Sequence, residues 1–103
     1  MYDGRMKFAG VVKGKPNIDV YLDGHQCTTL TLVHAFIDRR DKTAYCEFIP
    51  VQFWDGLSIE AAKLKHKDTI EVEVEFHPKA NNQGYGTYTL EAVNLTIIGG
   101  NQC

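Results

Sequence analysis

The clearest periodicity in the chain runs from Thr69 to His77, where Ile70, Val72, Val74 and Phe76 alternate with Thr69, Glu71, Glu73 and Glu75. A period of two puts the apolar set on one face, so the segment reads as a strand with a buried and a wet side. Four other segments read the same way. Met6 to Val12 is rich in β-formers, and Gly10 within it predicts a bend or bulge. Past Gly14-Lys15-Pro16, Ile18, Val20 and Leu22 alternate with Asn17, Asp19 and Tyr21, which makes the first strand long and kinked. Asp23-Gly24 signals a hairpin turn. Thr28 to Ile37 forms the second strand, with Leu30, Leu32, His34 and Phe36 on one face. The charged tip Asp38-Arg39-Arg40-Asp41-Lys42 leads into a third strand, Ala44 to Trp54. There Ile49, Val51 and Phe53 point one way, and Phe48, Pro50, Gln52 and Trp54 the other. A polar loop from Pro78 to Gly86 precedes the last strand, Thr87 to Ile98.

The period changes once. Leu57, Ala61 and Leu64 fall at helical spacing, so a helix is expected from Leu57 to about Lys65, capped by Asp55 or Ser58. Lys63, Lys65 and Lys67 near its end would complement its dipole. Neither linker, repeat nor low-complexity stretch divides the chain, which is expected to form one domain with its core at about 6–99. Three strands, a helix and two strands match the all-β OB-fold, a five-stranded Greek-key barrel with one short helix between strands three and four, whose surfaces and loops commonly bind oligonucleotides. Another small β-barrel is the plainer alternative.

Composition sharpens this picture in three places. The 103 residues are 44% hydrophobic and 23% charged, ordinary for a globular domain. No apolar run is long enough to span a bilayer and no signal peptide opens the chain, so a cytoplasmic protein is expected. Cys27, Cys46 and Cys103 are odd in number and lack CxxC spacing, which suggests neither a disulfide framework nor a zinc site. The formal net charge of −2 counts against a simple polyanion binder. The charges are uneven, however: Lys and Arg stand at 5, 7, 13, 15, 39, 40 and 42, whereas most glutamates lie in the second half. His25 and Cys27 are near each other without further ligands at hand, and His34, His66 and His77 belong to separate elements. With no nucleophile motif, phosphate loop or metal signature, neither enzyme activity nor a cofactor is expected.

Several short stretches resemble the DNA-binding domain of bacterial single-stranded-DNA-binding proteins, from about Met6 to Gly99. Phe8-Ala9-Gly10 followed by Pro16-Asn17-Ile18 resembles the family's opening strand. Gly24 and then Leu30-Thr31-Leu32 resemble its second strand. Glu47-Phe48 with Val51, Trp54 and Leu57 resembles the Glu-Trp-x-x-Val-x-x-Phe-x-x-Leu stretch entering the helix, and Tyr88-Thr89-Leu90-Glu91 the Tyr-Thr-Thr-Glu of the last strand. No single motif is specific; their order and spacing carry the likeness. The resemblance implies a homodimer or homotetramer joined through the first strand, acting on single-stranded DNA in replication, recombination or repair. It also implies stacking aromatics at Phe48 and Trp54, where the family usually has tryptophan and phenylalanine respectively. Two further family tryptophans have no counterpart here, with Phe36, His34, His77 or Tyr85 as possible substitutes. The ending at Gly99-Gly100-Asn101-Gln102-Cys103, without an acidic tail, fits a truncated chain, a phage or mobile-element variant, or a specialised relative such as the dimeric primosomal replication protein N.

Sequence-tolerant binding of single strands needs flat rings for bases and cations for phosphates. Phe48 and Trp54 supply rings on the face opposite Ile49, Val51 and Phe53; the alternative is burial under the helix or in a subunit contact. Arg39, Arg40 and Lys42 read as a basic finger, or as a solvated turn with local ion pairs. Lys7, Lys13 and Lys15 line the same path, or are edge-strand lysines. Tyr85 and Lys79, with Asn81 and Asn82, form a second finger or a plain loop. Tyr21, Tyr45 and Tyr88 read as half-buried barrel residues, and Glu71, Glu73 and Glu75 as an acidic outer ladder that a phosphate path avoids. A protein-interaction adaptor with replication proteins as partners and an RNA-binding module of the same fold are the competing functions.

Overall fold

The computed structural model describes residues 5–80 and 86–99. Five strands, β1 (Arg5–Val20), β2 (Gln26–Ile37), β3 (Ala44–Trp54), β4 (Thr69–Ala80) and β5 (Gly86–Gly99), close into a barrel in the order β1-β2-β3-β5-β4. A single helix, α1 (Gly56–Ala62), connects β3 to β4. This is the OB-fold expected from the element order.

Alternation in sequence becomes inside and outside in the barrel. Leu30, Leu32, Val51, Phe53, Ile70, Val72 and Val74 are essentially fully buried, and Ala61 of the helix and Leu64 just past its end join them. Burying one such side chain stabilises by about 1.5–3 kcal/mol. The helix is tied to β2 from inside: the Thr28 hydroxyl donates to the Ser58 carbonyl at 3.0 Å and lies 2.7 Å from its hydroxyl.

Two glycines in β1 do different jobs. Gly10 is not at a bulge: a Cβ there would come within 3.1 Å of Leu32 Cβ and 3.2 Å of the Val33 carbonyl oxygen. Its absence of a side chain lets β1 cross close over β2. The irregularity falls later, between Lys13 and Asn17, where Gly14 adopts φ 77°. There the chain is held by Gly14 N–H donating to His66 Nδ1 and by Lys67 N–H donating to the Val12 carbonyl, both at 2.8 Å.

The helix is shorter than expected. It ends at Ala62, so Lys63, Lys65 and Lys67 lie beyond its last turn and do not serve its dipole. Asp55 stands at the N-cap position but its carboxylate makes no cap bond; Ser58 is used against Thr28 instead. The strands β4 and β5 are longer than expected, pairing as far as Ala80↔Gly86. Tyr85 lies outside the described residues, and of Lys79 only the backbone is described.

Pairing is uneven around the barrel. β2 and β3 stay paired to Ile37↔Ala44, yet β1 leaves β2 at Val11↔Val33, and β3 meets β5 in one parallel bridge, Gln52↔Glu91. The β2–β3 hairpin therefore projects beyond the barrel wall as an arm, with an opening between β3 and β5.

Candidate nucleic-acid interface

The outer face of β1, β2 and β3 is built from register rows. Val11, Val33 and Phe48 form one row, Lys13, Thr31 and Pro50 the next, and Asp19, Cys27 and Trp54 the last. Phe48 is 58% exposed, with the Lys13 Nζ 4.3 Å above its ring centroid. Such a cation–π contact contributes about 0.5–1 kcal/mol at an open site. It holds a positive charge against the exposed ring.

Trp54 shares this face but is half-buried. Tyr21 stacks on it at 5.6 Å between ring centroids and 22° between planes. Cys27, its partner in the row, is buried, and that burial pushes the thiol up. The indole Nε1–H is enclosed without a partner among the described residues. The more exposed ring of the pair is Tyr21, at 47%, so this end of the face offers a tyrosine backed by an indole rather than an open tryptophan.

Tyr21 is positioned by the turn that follows it. Tyr21 N–H donates to the His25 carbonyl at 2.8 Å, and Gly24, at φ 92°, donates back to the Tyr21 carbonyl at 3.0 Å. His25 Nδ1 lies 2.9 and 3.1 Å from the two carboxylate oxygens of Asp55. This pair ties the β1–β2 turn to the joint between β3 and α1, where Asp55 takes φ 52°. The hydrogen bond to Asp55, its charge and then that of Asp23 hold the His25 imidazole above its usual range; the same bond holds Asp55 below the usual carboxylate range.

At the hairpin tip the two aspartates are occupied by the turn itself. Asp38 Oδ1 accepts from Arg40 N–H at 2.7 Å, Asp41 Oδ1 from Thr43 N–H at 2.9 Å, and Asp41 Oδ2 from the Tyr45 hydroxyl at 2.9 Å. These bonds hold the Asp41 carboxyl below its ordinary range. Arg39, Arg40 and Lys42 are exposed and make no ion pair among the described residues. Local charge pairing is thus not what the tip's cations do. Lys15, beside the Gly14 bulge, is likewise exposed and unpaired among the described residues.

Lys7 is placed elsewhere. It lies 3.7 Å from Glu71, next to the Arg5–Glu75 pair at 2.9 Å, so it faces the acidic ladder of β4 and not the rings of β3. Arg5 and then His77 hold Glu75 below the usual carboxylate range. His77 bridges the two strands, 3.2 Å from Glu75 and 3.7 Å from Glu91.

Three tyrosines depart from the sequence expectation. Tyr21, Tyr45 and Tyr88 are all exposed, Tyr88 at 62%. Tyr88 has the parity of the inward Leu90, but it pairs with Pro78, past the end of the closed barrel, with its ring centroid 5.5 Å from that of Phe76. Tyr45 continues a stack with Phe36 (5.6 Å) and His34 (6.3 Å) along the arm's inner face. Between β3 and β5 lies a groove of about 600 Å³ lined by Glu47, Phe48, Ile49, Pro50, Gln52, Tyr88, Thr89 and Leu90. The signal for Tyr88 was strand length: a β5 starting at Gly86 must outrun the barrel.

Among the described residues no group of three or more His, Cys, Asp or Glu is placed to hold a metal ion, and no helix is long and apolar enough to cross a membrane.

The closed five-stranded barrel with its single helix between β3 and β4 is an OB-fold, with exposed rings on its β2–β3 face. Among solved structures, the chain is similar to the wild-type single-stranded DNA binding protein from Thermus aquaticus, with a TM-score of 0.71 and 18% identity over 97% of this chain. It spans 42% of that protein's length. No family model matches the sequence, and no curated protein matches it.

Proposed function

We propose that this chain binds single-stranded DNA without strong sequence preference, as a non-catalytic OB module working in the cytoplasm in replication, recombination or repair. The observation that carries the reading is Phe48: an exposed ring on the middle strand of the barrel, under a lysine, on the same face as the Tyr21–Trp54 stack. Bases stack on Phe48 and on the Tyr21–Trp54 pair, each contributing about 1–3 kcal/mol. Lys13, Lys15, Arg39, Arg40 and Lys42 meet the phosphates, with Tyr85 and Lys79 on the opposing hairpin as further contacts. Lys7, engaged with Glu71, is at most a peripheral one. The likeness to the Thermus protein, named for single-stranded DNA binding, supports the same reading; self-association through β1 is a further part of the proposal.

Trp54 is the sole tryptophan, so its fluorescence reports on the face directly. Titration with a thymidine oligomer at low salt is expected to change the emission, and added salt to reverse it through counterion uptake. Absence of both a spectral change and a mobility shift at micromolar protein overturns the proposal. A uridine competitor of equal length that displaces the DNA oligomer at equal concentration would redirect the reading to RNA.

A further inference from the structure

We propose that the groove between β3 and β5 reads the Watson–Crick edge of one base and prefers guanine. The inference rests on the single-strand reading above and adds a local preference to an otherwise sequence-tolerant surface.

The groove is about 600 Å³, within the range of small-ligand sites, and is flanked by two exposed rings, Phe48 from β3 and Tyr88 from β5. It exists because β3 and β5 touch at a single bridge, Gln52↔Glu91. Rings alone accept any base, since every base has a π-face. The polar groups decide the rest. Gln52 and Thr89 line the groove, but Glu47 dominates its charge. Glu47 is exposed and makes neither a hydrogen bond nor an ion pair among the described residues.

A lone carboxylate beside a phosphate path weakens binding unless it meets a donor. An ionised carboxylate only accepts, through two oxygens side by side. Guanine matches it with two adjacent donors, N1–H and the N2 amino group, giving a bidentate, charge-assisted pair. Cytosine and adenine offer one amino group each. Thymine offers one N–H between two carbonyl oxygens that repel the carboxylate. Glu47 therefore ranks guanine first and thymine last, while Tyr88, which shares the inward parity of Glu47, holds whichever base enters.

The test compares a thymidine oligomer with one of equal length carrying isolated guanines, spaced to prevent guanine self-association, by anisotropy of end-labelled strands. The full chain is expected to bind the guanine oligomer about five- to tenfold more tightly, the lower part of the range for base-edge pairs because the groove is open. Glu47→Gln, which loses one acceptor oxygen and the charge, is expected to reduce that preference to below about twofold without weakening thymidine binding. Replacing guanine by hypoxanthine, which lacks the N2 amino group, is expected to do the same with the unaltered protein. Equal affinity of the unaltered chain for both oligomers, or a preference that survives Glu47→Gln, overturns this inference and leaves single-strand binding standing. A chain that binds neither oligomer overturns both.

Discussion

Phe48 and Trp54 show how far a single position can be read. Parity along β3 assigned both to the face away from Ile49, Val51 and Phe53, and the register agrees. Parity says nothing about what covers a ring, however, and Tyr21, coming from the end of β1 through a five-residue turn, lies on Trp54. The two rings therefore respond differently to substitution. Phe48→Ala removes an exposed platform: affinity for single strands is expected to drop by about 1–3 kcal/mol, with urea-unfolding stability within about 0.5 kcal/mol of the parent. A fall in stability several times larger would show that Phe48 is packed and not presented. Trp54→Phe trades lost ring area against relief of an enclosed N–H that costs about 1–3 kcal/mol to leave unpaired. Unfolding stability is expected to stay within about 1 kcal/mol, where Trp54→Ala loses about 3–5 kcal/mol at a buried site and less at this half-buried one. Tyr88, expected to be half-buried, is exposed: its parity matches the core, but the barrel closes before it.

At the scale of elements, strand β3 was legible to the residue, β2 at its end and β4 at its start, because one-sided burial enforces alternation and a slip of one position would reverse every side chain. Helix α1 was legible as an element but not at its ends. Its cap is overridden by tertiary bonds, Ser58 to Thr28 and Asp55 to His25, that no local pattern contains. The Gly10 signal was present in sequence but ambiguous between a bulge and a close crossing. Since the Val33 carbonyl that a Cβ would crowd is main chain within the β1–β2 sheet, Gly10→Ala is expected to destabilise by about 1–3 kcal/mol, read as a lowered urea midpoint. The His25–Asp55 tie adds a pH dependence whose sign follows from the shifts. His25 is held above its ordinary 6.5, so its contribution is complete below that value and is lost as pH rises through the raised one. Asp55 is held below its ordinary 3.8, so its contribution is present above that value and is lost on acidification through the lowered one. The turn carrying Tyr21 is therefore tied most firmly between about pH 4 and 6.5. Trp54 emission is expected to shift as pH rises from 6 toward 8, and His25→Gln to abolish the shift. A shift unchanged in that variant would assign the titration elsewhere.

Over the whole molecule, the net charge of −2 conceals a division of labour. The glutamates of β4 face Arg5, Lys7 and His77, while Lys13, Lys15 and the hairpin-tip cations have no acidic partner among the described residues. Composition averages the two faces, which is why total charge argued against a role that the arrangement favours. The same view shows an edge that the barrel does not close. Arg5–Gly10 pairs with β4, but no partner on β2 precedes Val11↔Val33. Successive residues of a strand point their main-chain groups to opposite edges. Val12 gives its N–H to Asp68 and its carbonyl accepts from Lys67, both on the β4 side, while the Ala9 carbonyl accepts from His34 on the β2 side. The N–H and C=O groups of Lys7 and the N–H of Ala9 therefore point to the open edge, a template for a second strand. Two copies pairing antiparallel there would join their sheets without covering Phe48. Ala9→Pro removes one outward donor and leaves the β4 ladder intact, because that donor does not face β4. Light scattering is expected to give at least twice the mass of one chain for the parent and a single-chain mass for Ala9→Pro, with an unchanged circular dichroism spectrum. A parent of single-chain mass, or a variant that remains associated, would mean that the open edge of β1 is not where copies meet.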